Sequence, residues 1–181
     1  MYFIYNILVY ITSYLLKIIA IFHKKIGLFV NGRRHTWEKL GRSISQNERT
    51  IWIHCASLGE FEQGRPLIEK LRIQFPEHKL ILTFFSPSGY EIRKDYAMVD
   101  VVCYLPLDTV RNVKKFLDYV HPELVFFVKY EFWPNFLKEL KQRNIKTLLI
   151  SGIFRKHQLF FKSYGSWMRK SLETISHFIL C

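Results

Sequence analysis

The chain has 181 residues, with 27 Lys and Arg against 15 Asp and Glu, a formal net charge of +12. Hydrophobic residues make up 49% and aromatics 17%, enough to bury a sizeable core, which excludes a disordered polycation. Such a charge excess on a folded body points to a polyanionic partner: nucleic acid, an anionic lipid surface or a phosphorylated small molecule. Cys55, Cys103 and Cys181 are widely spaced with no CxxC pair, which suggests neither a disulfide framework nor a zinc ribbon. No HxxxH or HExxH spacing brings histidines to a metal, so neither metal nor cofactor is expected.

Residues 1–22 carry one charge, Lys17, and supply about the 20 apolar positions that a membrane-crossing helix needs. Lys24, Lys25, Arg33 and Arg34 follow the apolar run and no Lys or Arg precedes it, which puts the rest of the chain on the cytoplasmic side of a membrane. A cleaved signal peptide would want the reverse charge order and a small-residue cleavage site. Tyr5, Asn6, Tyr10, Thr12, Ser13 and Tyr14 make the segment less apolar than a usual span. An anchor that crosses and one that lies in the surface therefore both stay open. Residues 23–49 read as a basic connector.

From residue 50 short apolar runs alternate with turn signals and helical periods, the pattern of a parallel α/β sheet. Residues 50–56 form the first expected strand, followed by a helix that Pro76 ends. A second strand covers 79–85, with SPSG as a turn and a short helix over 90–97. A third strand covers 100–105, and Asp108 is expected to cap a helix reaching residue 119. The fully apolar 124–128 reads as a central strand. A helix over 134–143, a strand over 146–150, a helix over 158–174 and a strand over 177–181 complete the reading. The fold class is α/β, one Rossmann-like parallel sheet over 50–181 behind an apolar anchor helix. A chain that stops within a strand reads as one half of a larger enzyme.

Ligands of open parallel sheets bind beyond the carboxyl ends of the strands, where three loops qualify. Ser57-Leu58-Gly59-Glu60 follows the first strand; Gly59 permits a tight turn and close approach of a ligand, and Glu60 opens a helix. A glutamate there is equally a dipole partner or cap. Ser86-Pro87-Ser88-Gly89 offers hydroxyls and free amides for a phosphate or carboxylate, or is an ordinary N-cap with Pro in the first turn. Residues 129–135 (KYEFWPN) put two charges and three aromatics at the end of a buried strand, which packing alone explains poorly. His54 and Cys55 read as packed strand residues. Neither GxxxxGK[ST] nor GxGxxG occurs, so P-loop and dinucleotide readings have no support.

These loops, in this order after an apolar amino terminus, resemble the amino-terminal half of the 3-deoxy-D-manno-octulosonic acid (Kdo) transferases of lipopolysaccharide synthesis. The matching stretches are WIHCASLGE (52–60), TFFSPSGYE (83–91), YLPLD (104–108), HPELVFFVKYEFWPN (121–135) and ISGIFR (150–155). The resemblance implies an inverting glycosyltransferase of GT-B architecture. Its amino-terminal domain binds a lipid A precursor (lipid IVA) and its carboxyl-terminal domain, absent from this chain, binds CMP-Kdo. Glu60 then stands at the general base and Glu131 at an acidic residue linked to transition-state stabilisation. Ser57, Gly59, Ser86, Ser88, Gly89 and Arg155 are the expected acceptor-binding residues. Lys129 departs from the family, where many members carry an acid. The competing readings are a non-catalytic membrane-surface binding module, inactive without the donor domain, and a nucleic-acid binder, for which no DNA-reading motif speaks.

Overall fold

The structure is a computed structural model that describes residues 1–129, 132–152, 162, 165–166, 169 and 172–180, with backbone alone for 177–180. Six strands form one parallel sheet: β1 (Thr50–Cys55), β2 (Lys79–Phe84), β3 (Val101–Tyr104), β4 (Leu124–Val128), β5 (Lys146–Gly152) and β6 (Ile175–Leu180). Their order is β3-β2-β1-β4-β5-β6. The chain winds outward from β1 in one direction, returns to pair β4 on β1's other edge, and winds out again. The strand order reverses between β1 and β4, and there the crevice of a doubly wound sheet opens.

The connecting helices are α4 (Leu58–Gln74), α5 (Pro87–Arg93), α6 (Val110–Val120) and α7 (Pro134–Gln142). Two buried clusters flank the sheet. Trp52, Phe116, Phe127 and Phe136 centre one, with Trp52 ring centroids 4.9–5.3 Å from the other three. Phe61, Ile68, Leu80, Leu82 and Phe84 centre the other. Each such fully buried side chain stabilises the fold by roughly 1.5–3 kcal/mol.

Several boundaries differ from the sequence reading, among them the end of β5, which runs on to Gly152 rather than stopping at 150. α5 starts at Pro87, because Ser86 caps it and Pro sits favourably in a first helical turn. The cap of α6 is Thr109, whose hydroxyl accepts from the Asn112 N–H at 3.2 Å, and Asp108 turns elsewhere. β6 begins at Ile175, two residues early. The helix expected over 158–174 lies largely outside the described residues.

Ahead of the sheet lie α1 (Tyr2–Phe22), α2 (Lys24–Arg34) and α3 (Thr36–Ser43), so most of the segment read as a connector is helical. α1 is sided. Tyr2, Tyr5, Asn6, Val9, Ser13, Leu16 and Ala20 are half-buried at helical spacing, while Phe3, Ile4, Leu8, Ile11, Leu15 and Phe22 are exposed. Of the polar side chains that weakened its apolar character, Tyr5, Asn6 and Ser13 face the body, while Tyr10, Thr12 and Tyr14 are exposed. α2 turns back against α1 so closely that a Cβ on Gly27 would lie 3.3 Å from the Ala20 carbonyl oxygen.

Candidate functional site

The loops after β1, β2 and β4 meet at the carboxyl end of the sheet. Glu60 lies in the first turn of α4, half-buried, and its Oε2 accepts from the Ala56 N–H at 2.5 Å. The carboxylate thus folds back over the turn that leaves β1, at the edge where the strand order reverses. Ser57 is the N-cap of α4, but its hydroxyl makes no capping bond. Gly59 is exposed, its φ is not positive, and a Cβ built there meets nothing within 4 Å. Neither turn geometry nor packing requires glycine at that position, and the space in front of it is open.

Ser86 ties the second loop to the first, its N–H donating to the Ala56 carbonyl at 2.8 Å. The Ser86 hydroxyl accepts from the Ser88 N–H at 3.3 Å and lies 3.0 Å from the exposed Ser88 hydroxyl. Gly89 is buried: a Cβ there would fall 2.3 Å from the Phe84 ring and 3.1 Å from the Leu58 nitrogen. Its lack of a side chain lets α5 settle against the loop that carries Glu60. Gly89 therefore shapes the site from beneath. Glu131 and Arg155 lie outside the described residues. Of the third loop, Lys129 turns in the left-handed region at φ 65°, with its N–H donating to the Ile150 carbonyl at 2.9 Å. Trp133 packs 4.7 Å from Phe85, centroid to centroid, which brings the β2 and β4 loops together.

His54 and Cys55 are fully buried, as packed strand residues should be. The His54 Nδ1 lies 2.8 Å from the Thr83 hydroxyl. Burial pushes the Cys103 thiol up to about 12, so it stays protonated at neutral pH.

Two contacts that shape this end of the sheet escaped the sequence reading. The first is Asp108, at 1% exposure, whose carboxylate accepts from the Asn135 N–H at 2.9 Å and the Phe136 N–H at 3.0 Å. It caps α7 from across the sheet, and so fixes the start of the helix that follows the third loop. From α1, the Tyr5 hydroxyl donates to the same carboxylate at 2.6 Å and the Tyr2 hydroxyl donates to the Asn135 side-chain oxygen. Burial pushes the Asp108 pKa up to about 7 against the opposing pull of the bonds it accepts. YLPLD and EFWPN each supply a partner, but nothing local pairs residues 27 apart.

The second is Arg33. Its guanidinium donates to the carbonyls of Leu105 (2.9 Å), Phe29 (2.8 Å) and Phe85 (2.8 Å), with the Phe29 ring 3.5 Å from its central carbon. Burial lowers its pKa, while carbonyl acceptors and aromatic faces hold the charge. Arg33 clamps α2 to the ends of β2 and β3, and Phe29, Phe85 and Trp133 continue that contact to the third loop.

A family profile described as 3-Deoxy-D-manno-octulosonic-acid transferase (kdotransferase) matches residues 34–181. The chain belongs to the Kdo transferase family. Among curated relatives, the 3-deoxy-D-manno-octulosonic acid transferase of Haemophilus influenzae is 32% identical over 103 residues, 56% of this chain and 24% of that protein. The Aquifex aeolicus transferase of the same name is 34% identical over 96 residues, 52% of this chain and 26% of that protein. A bifunctional glycosyltransferase/methyltransferase of Fusobacterium nucleatum is 26% identical over 164 residues, 87% of this chain and 24% of its own length. The chain spans about a quarter of the length of these relatives. In fold it resembles the crystal structure of UDP-N-acetylglucosamine 2-epimerase (TM-score 0.52, 10% identity, 74% of this chain and 42% of that one). Within this Kdo transferase family member, the loops that carried the resemblance converge at one end of one sheet.

Proposed function

We propose that this chain is the acceptor-binding half of an inverting GT-B glycosyltransferase that moves Kdo from CMP-Kdo to a phosphorylated lipid A precursor, lipid IVA, in lipopolysaccharide synthesis. The observation that carries the reading is Glu60, held at the crevice where the strand order reverses, in a chain matched to the Kdo transferase family from residue 34 to 181. A sugar hydroxyl is a weak nucleophile, so a carboxylate within hydrogen-bond reach takes its proton as it attacks the anomeric carbon of Kdo and CMP departs. Glu60 is that base, and the open space before Gly59 lets the acceptor approach it. Glu131 stabilises the transition state. Ser57, Ser86, Ser88 and Arg155 hold the acceptor, with Gly89 setting their positions. The donor binds a second domain, and α1 keeps the enzyme at the cytoplasmic face of the inner membrane, where its lipid substrate lies.

The test is Glu60→Gln in the complete protein, followed by transfer of Kdo from CMP-Kdo to lipid IVA. Loss of a positioned base lowers turnover by about 10²–10⁴-fold. Turnover within threefold of wild type would refute the assignment, and Ser86→Ala, which keeps the base, should weaken acceptor use more than it slows chemistry. A second reading, a membrane-surface binding module, draws on the quarter-length coverage of the relatives. Failure of both this chain and the complete protein to transfer Kdo would favour it.

A further inference from the structure

Beneath α1 lies a cleft of about 370 Å³ bounded by α1, α2, α3 and the loop from β3 to α6. Its cationic walls are Lys17 of α1, Arg33 and Arg34 of α2, and Arg111 in the first turn of α6; among the described residues no Asp or Glu lines it. Arg33 is committed to backbone carbonyls. Lys17, Arg34 and Arg111 are exposed, and among the described residues none of them pairs with a carboxylate. Elsewhere Arg42, Arg49, Arg65, Arg72 and Arg143 each face an acid, and what sets the cleft apart is that its cations are gathered in one concavity. Like charges gathered without a counter-charge repel one another, so packing gives no reason for this arrangement. The first turn of α6 also holds no acid, which leaves its positive dipole end uncompensated beside Arg111.

We infer that this cleft binds the phosphate of an anionic bilayer phospholipid, with the acyl chains lying along the outward face of α1. The inference rests on the membrane reading of α1. Tyr2 and Tyr5 hold the amino end of α1 to the body, and Leu16 and Lys17 line clefts against the same body further along. The helix therefore lies along the surface that a bilayer meets. Its outward side chains are mostly apolar, with Phe3 75%, Ile4 54%, Leu8 56% and Phe22 86% exposed. Tyr10 and Trp37 in the cleft wall have the amphipathic rings that favour headgroup depth. A free phosphate would use the cations alone, whereas a phospholipid uses both the cations and the adjoining apolar face. The sugar acceptor is the poorer occupant. Pro106, Leu107 and Thr109 follow the outer strand β3, two strands or roughly 10 Å from the β1 end that carries Glu60.

The experiment is flotation of the full chain with three vesicle types at about 0.1 M salt. These are phosphatidylcholine alone, phosphatidylcholine with phosphatidylglycerol, and phosphatidylcholine with a phosphorylated disaccharide lipid at equal surface charge. Each near-surface cation contributes about fivefold in partitioning, so the combined variant Lys17→Gln/Arg34→Gln/Arg111→Gln should lose roughly a hundredfold on phosphatidylglycerol vesicles. Its binding to phosphatidylcholine should not change. The control Lys70→Gln/Lys94→Gln/Lys146→Gln should stay within about threefold of wild type. Equal loss in the control would overturn the cleft in favour of diffuse charge attraction. A preference confined to the disaccharide lipid would overturn it in favour of an acceptor subsite. If wild type floated with no vesicle, the membrane reading of α1 would fall, and the cleft with it.

Discussion

Replacing Asp108 by Ala removes one side chain but strips three donors of their acceptor: the Asn135 and Phe136 N–H groups and the Tyr5 hydroxyl. The tyrosine rotates toward water at little loss. The two backbone N–H groups cannot follow, because Asn135 and Phe136 are 2% and 0% exposed. A buried donor left without a partner costs about 1–3 kcal/mol, and the lost helix cap falls within the same range. The sum is about 3 kcal/mol, a large part of a typical stability of about 5–15 kcal/mol. For a chain of this size that lowers the Tm by roughly 6–12 °C. Thermal unfolding in mild detergent, followed by far-UV circular dichroism, measures it. Tyr5→Phe alone should cost about 1 kcal/mol, and almost nothing further once Asp108 is Ala, because the two act through one contact. A Tm for Asp108→Ala within about 2 °C of wild type, or full additivity with Tyr5→Phe, would refute the capping argument.

The same carboxyl predicts a pH dependence. Its folded-state pKa, about 7, lies above that of an exposed aspartate, so its contribution to stability is complete below about pH 4 and is lost as pH rises through 7. Denaturant midpoints at pH 5 and pH 7.5 should show that decline in wild type and a flatter profile in Asp108→Asn. Glu123 runs in the opposite direction: Arg49 holds its pKa down to about 2, so its contribution is present above about pH 4.5 and fades as pH falls toward 2. Arg49→Gln should reduce that loss in acid unfolding. Gly89→Ala must push into the buried Phe84 ring and should destabilise by about 1–3 kcal/mol in a urea titration. Gly59→Ala faces open space in a helix and should stabilise by up to about 1 kcal/mol, while impairing acceptor binding in the complete protein.

Much of the fold was legible because it is written locally. The apolar runs at 50–55, 79–84 and 124–128 became strands nearly where their composition put them, and Ser86-Pro87 announced its helix through cap chemistry. What could not be read depends on partners far along the chain. Asp108 has a helix-capping side chain just ahead of α6, yet its donors come from α7, so the neighbouring Thr109 does the local work. Arg33 looked like a membrane-side charge, because its burial depends on carbonyls 52 and 72 residues away. α2 lacks a clear apolar stripe, as Lys24, Lys25, Asn31, Arg33 and Arg34 crowd an eleven-residue helix, so its helicity comes from packing against α1 and the sheet end. The position of Glu60 in the first turn after β1 was legible from the S-x-G-E spacing, but the packing role of Gly89 was not, since only the folded approach of Phe84 reveals it.

The hydrogen bond from Tyr5 to Asp108 also constrains how the chain is born. Its partners lie 103 residues apart, so at about 5–20 residues per second the ribosome delivers the acceptor some 5–20 s after the donor. Arg33 likewise waits for Leu105 through 72 residues of synthesis. During that interval the greasy first helix is made but has no body to lie against. On the membrane reading of α1, a bilayer close to the tunnel exit is the surface that receives it first, and the sheet then assembles on a segment already docked.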